Sequence, residues 1–195
     1  MDYLKNCHTL NLSCTNVTDV SAFRPVEDSA LKNCHTVKDG PCGTLNLYNT
    51  NVTDVSALKN CHTLDLGSTN VTDVSALKNC HTLDLSGTNV TDVSAFRPVE
   101  DSALKNCHTL NLCHTNVTDV SALTNCHTLY LSHTKVTDVS TLTNCHILDL
   151  SYTKVTDVSA LKNCHHLNIS HTNVTDVSAL KNCHILNLSW MTLVC

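Results

Sequence analysis

The stretch VTDVSALKNCHTLDLSGTN, residues Val71 to Asn89, decides the fold, because Val90 begins the same phrase again. The repeated unit is 19 residues long. The other parts of the chain are copies of this unit or insertions into copies. Such a sequence predicts a repeat solenoid, in which each copy packs against its neighbours and cannot bury its apolar face alone.

Apolar residues occupy fixed positions of the repeat, which we number from its first leucine. The alternation Leu64-Asp65-Leu66 predicts a short strand with two leucines inward and one polar residue outward. Elsewhere apolar residues recur every three positions, which predicts extended or 3-10 segments with little or no α-helix. In the copy that begins at Leu58, the apolar residues stand at positions 1, 4, 7, 9, 14 and 17: Leu58, Cys61, Leu64, Leu66, Val71 and Val74.

The pattern LxxCxxLxLxxTxVxxV resembles a leucine-rich repeat, with Cys61 in the second leucine slot and Thr69 in the usual asparagine slot. The phrase VTDVSALKN resembles the ITDISPLKN-type text of internalin-like repeats, which are 22 residues long. The Cys-His-Thr signature is similar to short-repeat proteins of giant DNA viruses and protists. This resemblance implies a parallel sheet on a concave strand face, which is the usual binding surface of the family, and extended or 3-10 segments on the back.

The repeat predicts a single array over residues 1–195 with about nine coils and nine parallel strands. Insertions fall near residues 23–30, 37–44 and 96–103, and Pro25 and Pro98 place the first and third in loops on the back. The predicted strands are Leu10–Leu12, Leu45–Leu47, Leu64–Leu66, Leu83–Leu85, Leu110–Leu112, Leu129–Leu131, Leu148–Leu150, Leu167–Ile169 and Leu186–Leu188.

The composition excludes several classes of function. A net charge of −5 with 12 Lys and Arg residues gives no basic footprint for nucleic acid. No run of 18 apolar residues predicts a membrane span. The start reads directly into repeat text without a signal peptide, so we expect a cytoplasmic protein, with secretion as the minority alternative. We expect no cofactor.

A Cys-His pair recurs in every copy, for example Cys80-His81 and Cys126-His127. Adjacent residues of an extended segment point to opposite sides, so we expect each Cys in the core and each His on the surface, without a metal site. A disulfide between neighbouring coils stays open, but no Cys has a unique mate. Stacked surface imidazoles would repel when protonated, which predicts lowered His pKa values and stability lost below about pH 6.5.

Two polar columns have structural explanations. Thr at position 12, such as Thr69, is predicted to face inward and to satisfy backbone groups of the next coil. Asp at position 16, such as Asp73, is predicted to accept backbone N–H bonds at a turn. A calcium array is disfavoured, since each turn offers one carboxylate and the chain has 4 glycines. No nucleophile elbow or phosphate loop occurs, so we expect no enzyme.

Positions 8 and 11 differ most between copies, which predicts that specificity lies there, on the strand face. Aromatic residues dominate the energetics of protein interfaces. Drift between recently duplicated copies is the alternative explanation. The predicted protein-binding residues are Tyr48, Asp65, Asp84, Tyr130, His133, Asp149, Tyr152, His171 and Trp190.

We therefore expect a non-enzymatic protein-protein interaction module whose partner is another protein, with no nucleic acid and no membrane. Both ends of the array look uncapped, because Met1 enters mid-copy and Cys195 follows the last strand closely. The first alternative is thus a structural array that self-associates end to end. The second is an extracellular adhesion-type repeat.

Overall fold

The computed structural model describes residues 9–21, 43–59, 61–98 and 107–191. Within them nine three-residue strands form, one for each predicted strand, and each begins one residue earlier than predicted, so that it covers positions 6–8. The strands are β1 (Thr9–Asn11), β2 (Thr44–Asn46), β3 (Thr63–Asp65), β4 (Thr82–Asp84), β5 (Thr109–Asn111), β6 (Thr128–Tyr130), β7 (Ile147–Asp149), β8 (His166–Asn168) and β9 (Ile185–Asn187).

The strands form one parallel sheet in sequence order, β1 to β9. Equivalent residues pair in every step, so Leu64 lies beside Leu83. The register survives the longer connections: Thr82 pairs with Thr109, 27 residues later. The predicted insertions lie outside the described residues, apart from 43–44 and 96–98. The predicted parallel solenoid is confirmed.

The side of each coil opposite the sheet is made of short turns. Single-turn 3-10 helices occur there, at Ser56–Leu58, Ser75–Leu77, Ser94–Phe96 and Ser178–Leu180. Other described coils make hydrogen-bonded turns at this point, for example from the Leu142 N–H to the Val139 carbonyl at 3.0 Å. No α-helix occurs in the described part of the chain. Its helical turns are too short to cross a bilayer.

The core is a stack of identical layers, because each coil places the same side chains against those of its neighbours. Leu64, Leu66, Val71 and Val74 are buried in the coil of β3, and Cys61 is buried with them. The next residue, His62, is half-buried on the outside. The prediction that Cys faces inward and His outward is therefore confirmed, although the Cys-His pairs at 7–8 and 34–35 lie outside the described residues.

The inward-facing thiols also make hydrogen bonds between coils. The Cys145 Sγ donates toward the His127 carbonyl of the preceding coil at 3.5 Å. Similar bonds join Cys164 to the His146 carbonyl at 3.4 Å and Cys183 to the His165 carbonyl at 3.3 Å. Burial raises the pKa of Cys126 to about 12. A thiol with such a pKa stays protonated, and a protonated thiol is a poor nucleophile.

The threonine column is buried as predicted in the coils of β2 to β8, whereas Thr15 in the coil of β1 is exposed, and the predicted hydrogen-bond partner is wrong. The Thr69 hydroxyl donates to the Leu66 carbonyl of its own coil at 2.7 Å. The Thr69 N–H donates to the same Leu66 carbonyl at 3.2 Å. The intervening residue Ser68 is left-handed, so the chain folds back and brings position 12 over position 9 of the same coil. The threonine therefore closes a turn.

The aspartates at position 16 cap a tight turn, as predicted. The Ser75 N–H donates to Asp73 Oδ1 at 2.8 Å, and the equivalent bond from the Ser159 N–H to Asp157 Oδ1 has the same length. The backbone N–H of Ser75 lowers the pKa of Asp73 below its usual range. These carboxylates are therefore ionised at neutral pH and hold the turn before each back segment.

Candidate interaction surface

Position 8 ends each strand, and its side chain usually caps the turn that follows. The Gly67 N–H donates to Asp65 Oδ1 at 2.9 Å, and the Ser151 N–H donates to Asp149 at 2.8 Å. Partial burial raises the pKa of Asp65, against the lowering effect of the Gly67 N–H. An Asn or Asp at this position therefore supports the fold, which explains part of its regular occurrence.

Tyr130 departs from this rule. It stands at position 8 of β6, where its side chain has no oxygen placed to accept the N–H two residues later, and it is half-buried on the sheet. Its strand neighbours Asn111 and Asp149 both make that capping bond. Tyr130 thus replaces a capping side chain by an aromatic one.

Position 11 lies in the turn after the strand, with a left-handed backbone in every described coil. Asn49, Ser68 and Gly87 have φ values of 53°, 56° and 65°. The same conformation holds Tyr152 at 57° and Trp190 at 61°. The fold therefore constrains position 11 although its residues vary between copies, since left-handed φ favours Gly and Asn and is unusual for bulky residues.

Rings at position 11 of five consecutive coils stack on one another. We call them the turn ring column. Its centroid separations are 4.4 Å from His114 to His133, 4.2 Å to Tyr152, 4.2 Å to His171 and 5.7 Å to Trp190. The interplanar angles lie between 11° and 19°. The column therefore runs continuously from the coil of β5 to the coil of β9.

The column is open to solvent. Tyr152 is 48% exposed and Trp190 is 82% exposed. Since the inner faces of the rings cover each other, a partner would meet ring edges, which carry the imidazole nitrogens, the Tyr152 hydroxyl and the indole N–H. Trp190 also stands at the described end of the stack. These groups can form both apolar contacts and hydrogen bonds.

A second column lies at position 5, before the strands. The histidine column consists of stacked imidazoles whose centroids are 4.0–5.1 Å apart. Partial burial, and then the neighbour His62, lower the pKa of His81 below its ordinary value of 6.5. Partial burial also lowers the pKa of His127, followed by His146. The column comprises His62, His81, His108, His127, His146, His165 and His184.

The two columns flank the strand face. The structure brings the predicted residues His133, Tyr152, His171 and Trp190 into one stack, with Tyr130 at the end of strand β6. The sequence-based prediction left out His114, although its place in the same repeat position was the available signal. Tyr48, Asp65 and Asp84 lie in the coils of β2 to β4, which precede the coils of the turn ring column.

The described residues contain no group of three or more His, Cys, Asp or Glu side chains with the arrangement of a metal site. Asp149, the remaining predicted residue, lies at the end of β7 and caps its turn. The surface as a whole therefore offers aromatic edges and polar groups along the sheet, a composition suited to binding.

No family model and no curated protein matches the sequence. Solved structures do match. An internalin of Listeria monocytogenes, InlF, superposes with a TM-score of 0.76 at 24% identity, over 100% of this chain and 57% of that one. Internalin C2 of the same organism has a TM-score of 0.71 at 26% identity, over 92% of this chain and 80% of that one.

A third similar structure is the functional domain of InlJ from Listeria monocytogenes, which is described as including a cysteine ladder. It superposes with a TM-score of 0.68 at 25% identity, over 95% of this chain and 40% of that one. The chain thus spans little more than half of InlF and less than half of InlJ. Together with the parallel sheet and the 19-residue coils, these likenesses establish a leucine-rich-repeat fold.

Proposed function

We propose that this leucine-rich-repeat chain is a non-enzymatic module that binds another protein along its strand face, with the turn ring column and Tyr130 as anchors. The observation that carries the proposal is the exposed stack at left-handed positions. Gly87 and Asn49 suit this backbone, whereas Tyr152 and Trp190 strain it. Strain that the fold does not require is a feature of functional sites.

The extended shape of the strand face favours a protein partner over a small ligand. Stacked ring edges over five coils form an extended row. Exposed Tyr and Trp are the residue types that most often act as energetic anchors in interfaces. The coarse resemblance to internalins, whose fold this chain shares, supports the same class of function.

The test replaces rings by asparagine, the residue that tolerates the left-handed turn best after glycine. In Tyr152→Asn and Trp190→Asn, relief of backbone strain offsets the lost stacking, so we expect unfolding free energies within about 1 kcal/mol of the parent. Thermal and urea unfolding measure this. A loss above about 2 kcal/mol in both variants would assign the rings to stability and overturn the proposal.

A photoreactive residue in place of His171 crosslinks the chain to its partner, which is then identified and purified. Binding is measured with this purified partner. We expect the Tyr130→Ala, Tyr152→Asn, Trp190→Asn variant to bind it at least about 100-fold more weakly, as for the loss of hot-spot residues. The control is Ser68→Asn, the same turn position in the coil of β3. Unchanged capture with altered sedimentation would favour the self-assembly alternative.

A further inference from the structure

A groove of about 700 Å³ opens beside the histidine column in the coils of β7 to β9. Lys162 and Lys181 line this groove, together with His146, His165 and His184. Asparagine amides and Thr143 complete most of the wall, and no carboxylate of the described residues lines it. The lysines of the groove are positively charged and its histidines are neutral or positive, whereas the chain as a whole has a net charge of −5.

The groove is built from one motif in successive coils. Lys at position 2, Asn at position 3 and His at position 5 recur in the coils that contain Lys162 and Lys181. The imidazole centroids of His146 and His165 are 5.1 Å apart, as are those of His165 and His184. Coil stacking therefore repeats the same donors at a short interval, so that one ligand group can contact donors from two coils.

Backbone contacts orient two of these imidazoles. His146 Nδ1 lies 2.9 Å from the Asn144 carbonyl oxygen, and His165 Nδ1 lies 3.0 Å from the Asn163 carbonyl oxygen. Because a carbonyl oxygen only accepts, Nδ1 carries the hydrogen, and Nε2 can donate to an anion when the imidazole is protonated. The asparagines are held in turn, since Asn163 Nδ2 donates to the Thr143 carbonyl at 3.2 Å.

We propose that this groove binds an oxyanion of the phosphate or sulfate class, held by Lys162 and Lys181 with the imidazole of His165 between them. Charge-assisted hydrogen bonds from ammonium groups are the strong interactions for such an ion. The residues at position 2 indicate where the anion would bind. This position holds Thr124 and Thr143 in the two preceding coils, so in this half of the array adjacent lysines occur only from Lys162 onward. The site is separate from the turn ring column.

The experiment titrates the intact chain with inorganic phosphate and, separately, with sulfate. Histidine ring resonances, assigned by single substitutions, report binding at this groove, and we expect those of His146, His165 and His184 to shift with a Kd on the order of 1 mM. Site-specific resonances are needed because Lys59, His62, Lys78 and His81 repeat the same residue types in earlier coils.

The double variant K162Q/K181Q should weaken phosphate binding by at least about tenfold, since each lost ammonium removes a charged hydrogen bond. The matched control K135Q/K154Q removes the same charge from position 13 of adjacent coils and should leave the affinity within about twofold. Thr143→Lys should tighten binding, because Thr143 already lines the groove.

Equal losses in both double variants, or no shift of the three imidazoles in the parent, would overturn the proposal. Titration with phosphoserine tests whether the groove takes a phosphate group that is attached to a larger molecule. If it does, phosphoserine should bind at least as tightly as inorganic phosphate, and weaker binding assigns the groove to the free ion. Trp190→Asn should not change any of these affinities, so failure here is distinguishable from failure of the protein-binding proposal.

Discussion

The same turn is built differently in the two halves of the solenoid. In the coils of β2 to β4 position 11 holds Asn49, Ser68 and Gly87, whereas the coils of β5 to β9 hold rings there. The φ values are nearly equal, so the backbone is the same and only the side chains differ. The comparison teaches that Asn49 and Gly87 in the first half suit the left-handed turn, while Tyr152 and Trp190 in the second half accept strain within a continuous exposed stack.

The largest loss of stability is expected when a core residue, rather than a surface residue of the same coil, is replaced. Leu148 is buried at 1% exposure, four residues before the exposed Tyr152. Leu148→Ala should lower the free energy of unfolding by about 2–5 kcal/mol, because it leaves a cavity between close-packed layers. Urea unfolding measures the loss. If Tyr152→Asn cost as much as Leu148→Ala, the distinction between fold and binding positions would fail.

A smaller loss of stability is expected when a ring is placed at position 11 of a coil in the first half. Gly87→His places an imidazole beside His114, in a coil where an added Cβ meets Ser68 Oγ at 3.5 Å, an ordinary contact. The left-handed backbone should cost about 1–2 kcal/mol, partly offset by stacking on His114. Thermal unfolding of this variant and of Gly87→Asn measures the difference, and a more stable His variant would contradict the strain argument.

The smallest effect concerns the pH dependence of the histidine column. The lowered pKa values of His81 and His127 mean that the folded state binds fewer protons than the unfolded state. Stability is therefore complete above pH 6.5, the ordinary value for both groups, and decreases as the pH falls through their lowered folded-state values. Both imidazoles are only partly buried, so the change should be small.

Melting temperatures between pH 7.5 and pH 5 measure this dependence. The His127→Gln variant should show a flatter profile, since it removes one of the two groups and a neighbour of His146. The capping aspartates respond in a different range: their lowered pKa values place the loss of their contribution below pH 3.8, as for Asp138. A profile that stays flat from pH 7.5 to pH 5 in the parent would contradict the prediction for the histidines.

Much of the architecture follows from local pattern. The alternation of apolar and polar residues located all nine described strands to within one residue, because the two-residue period of a strand assigns each side chain to a face. The same reasoning placed Cys61 inside and His62 outside. The capping role of Asp73 was also predictable, since an aspartate near a turn readily accepts a local N–H.

The hydrogen bond of Thr69 and the meaning of position 11 were not predictable in this way. Both depend on the left-handed φ of Ser68 and its equivalents, and a variable run such as Asn, Ser, Gly, His, Tyr and Trp carries no clear signal for that conformation. His114 was different, because its place at position 11 was visible in the sequence, and only its stacking on His133 shows that it belongs to the same surface.

The sequence by itself determined that a 19-residue phrase winds into a parallel solenoid with leucine, valine and cysteine inside, because the period of the apolar residues is a local property of the chain. Only the tertiary structure decided which exposed residues of successive coils lie against one another. Residues 19 apart become neighbours only when the coils stack, and that stacking joins His133 to Tyr152 in one surface and Lys162 to Lys181 in another.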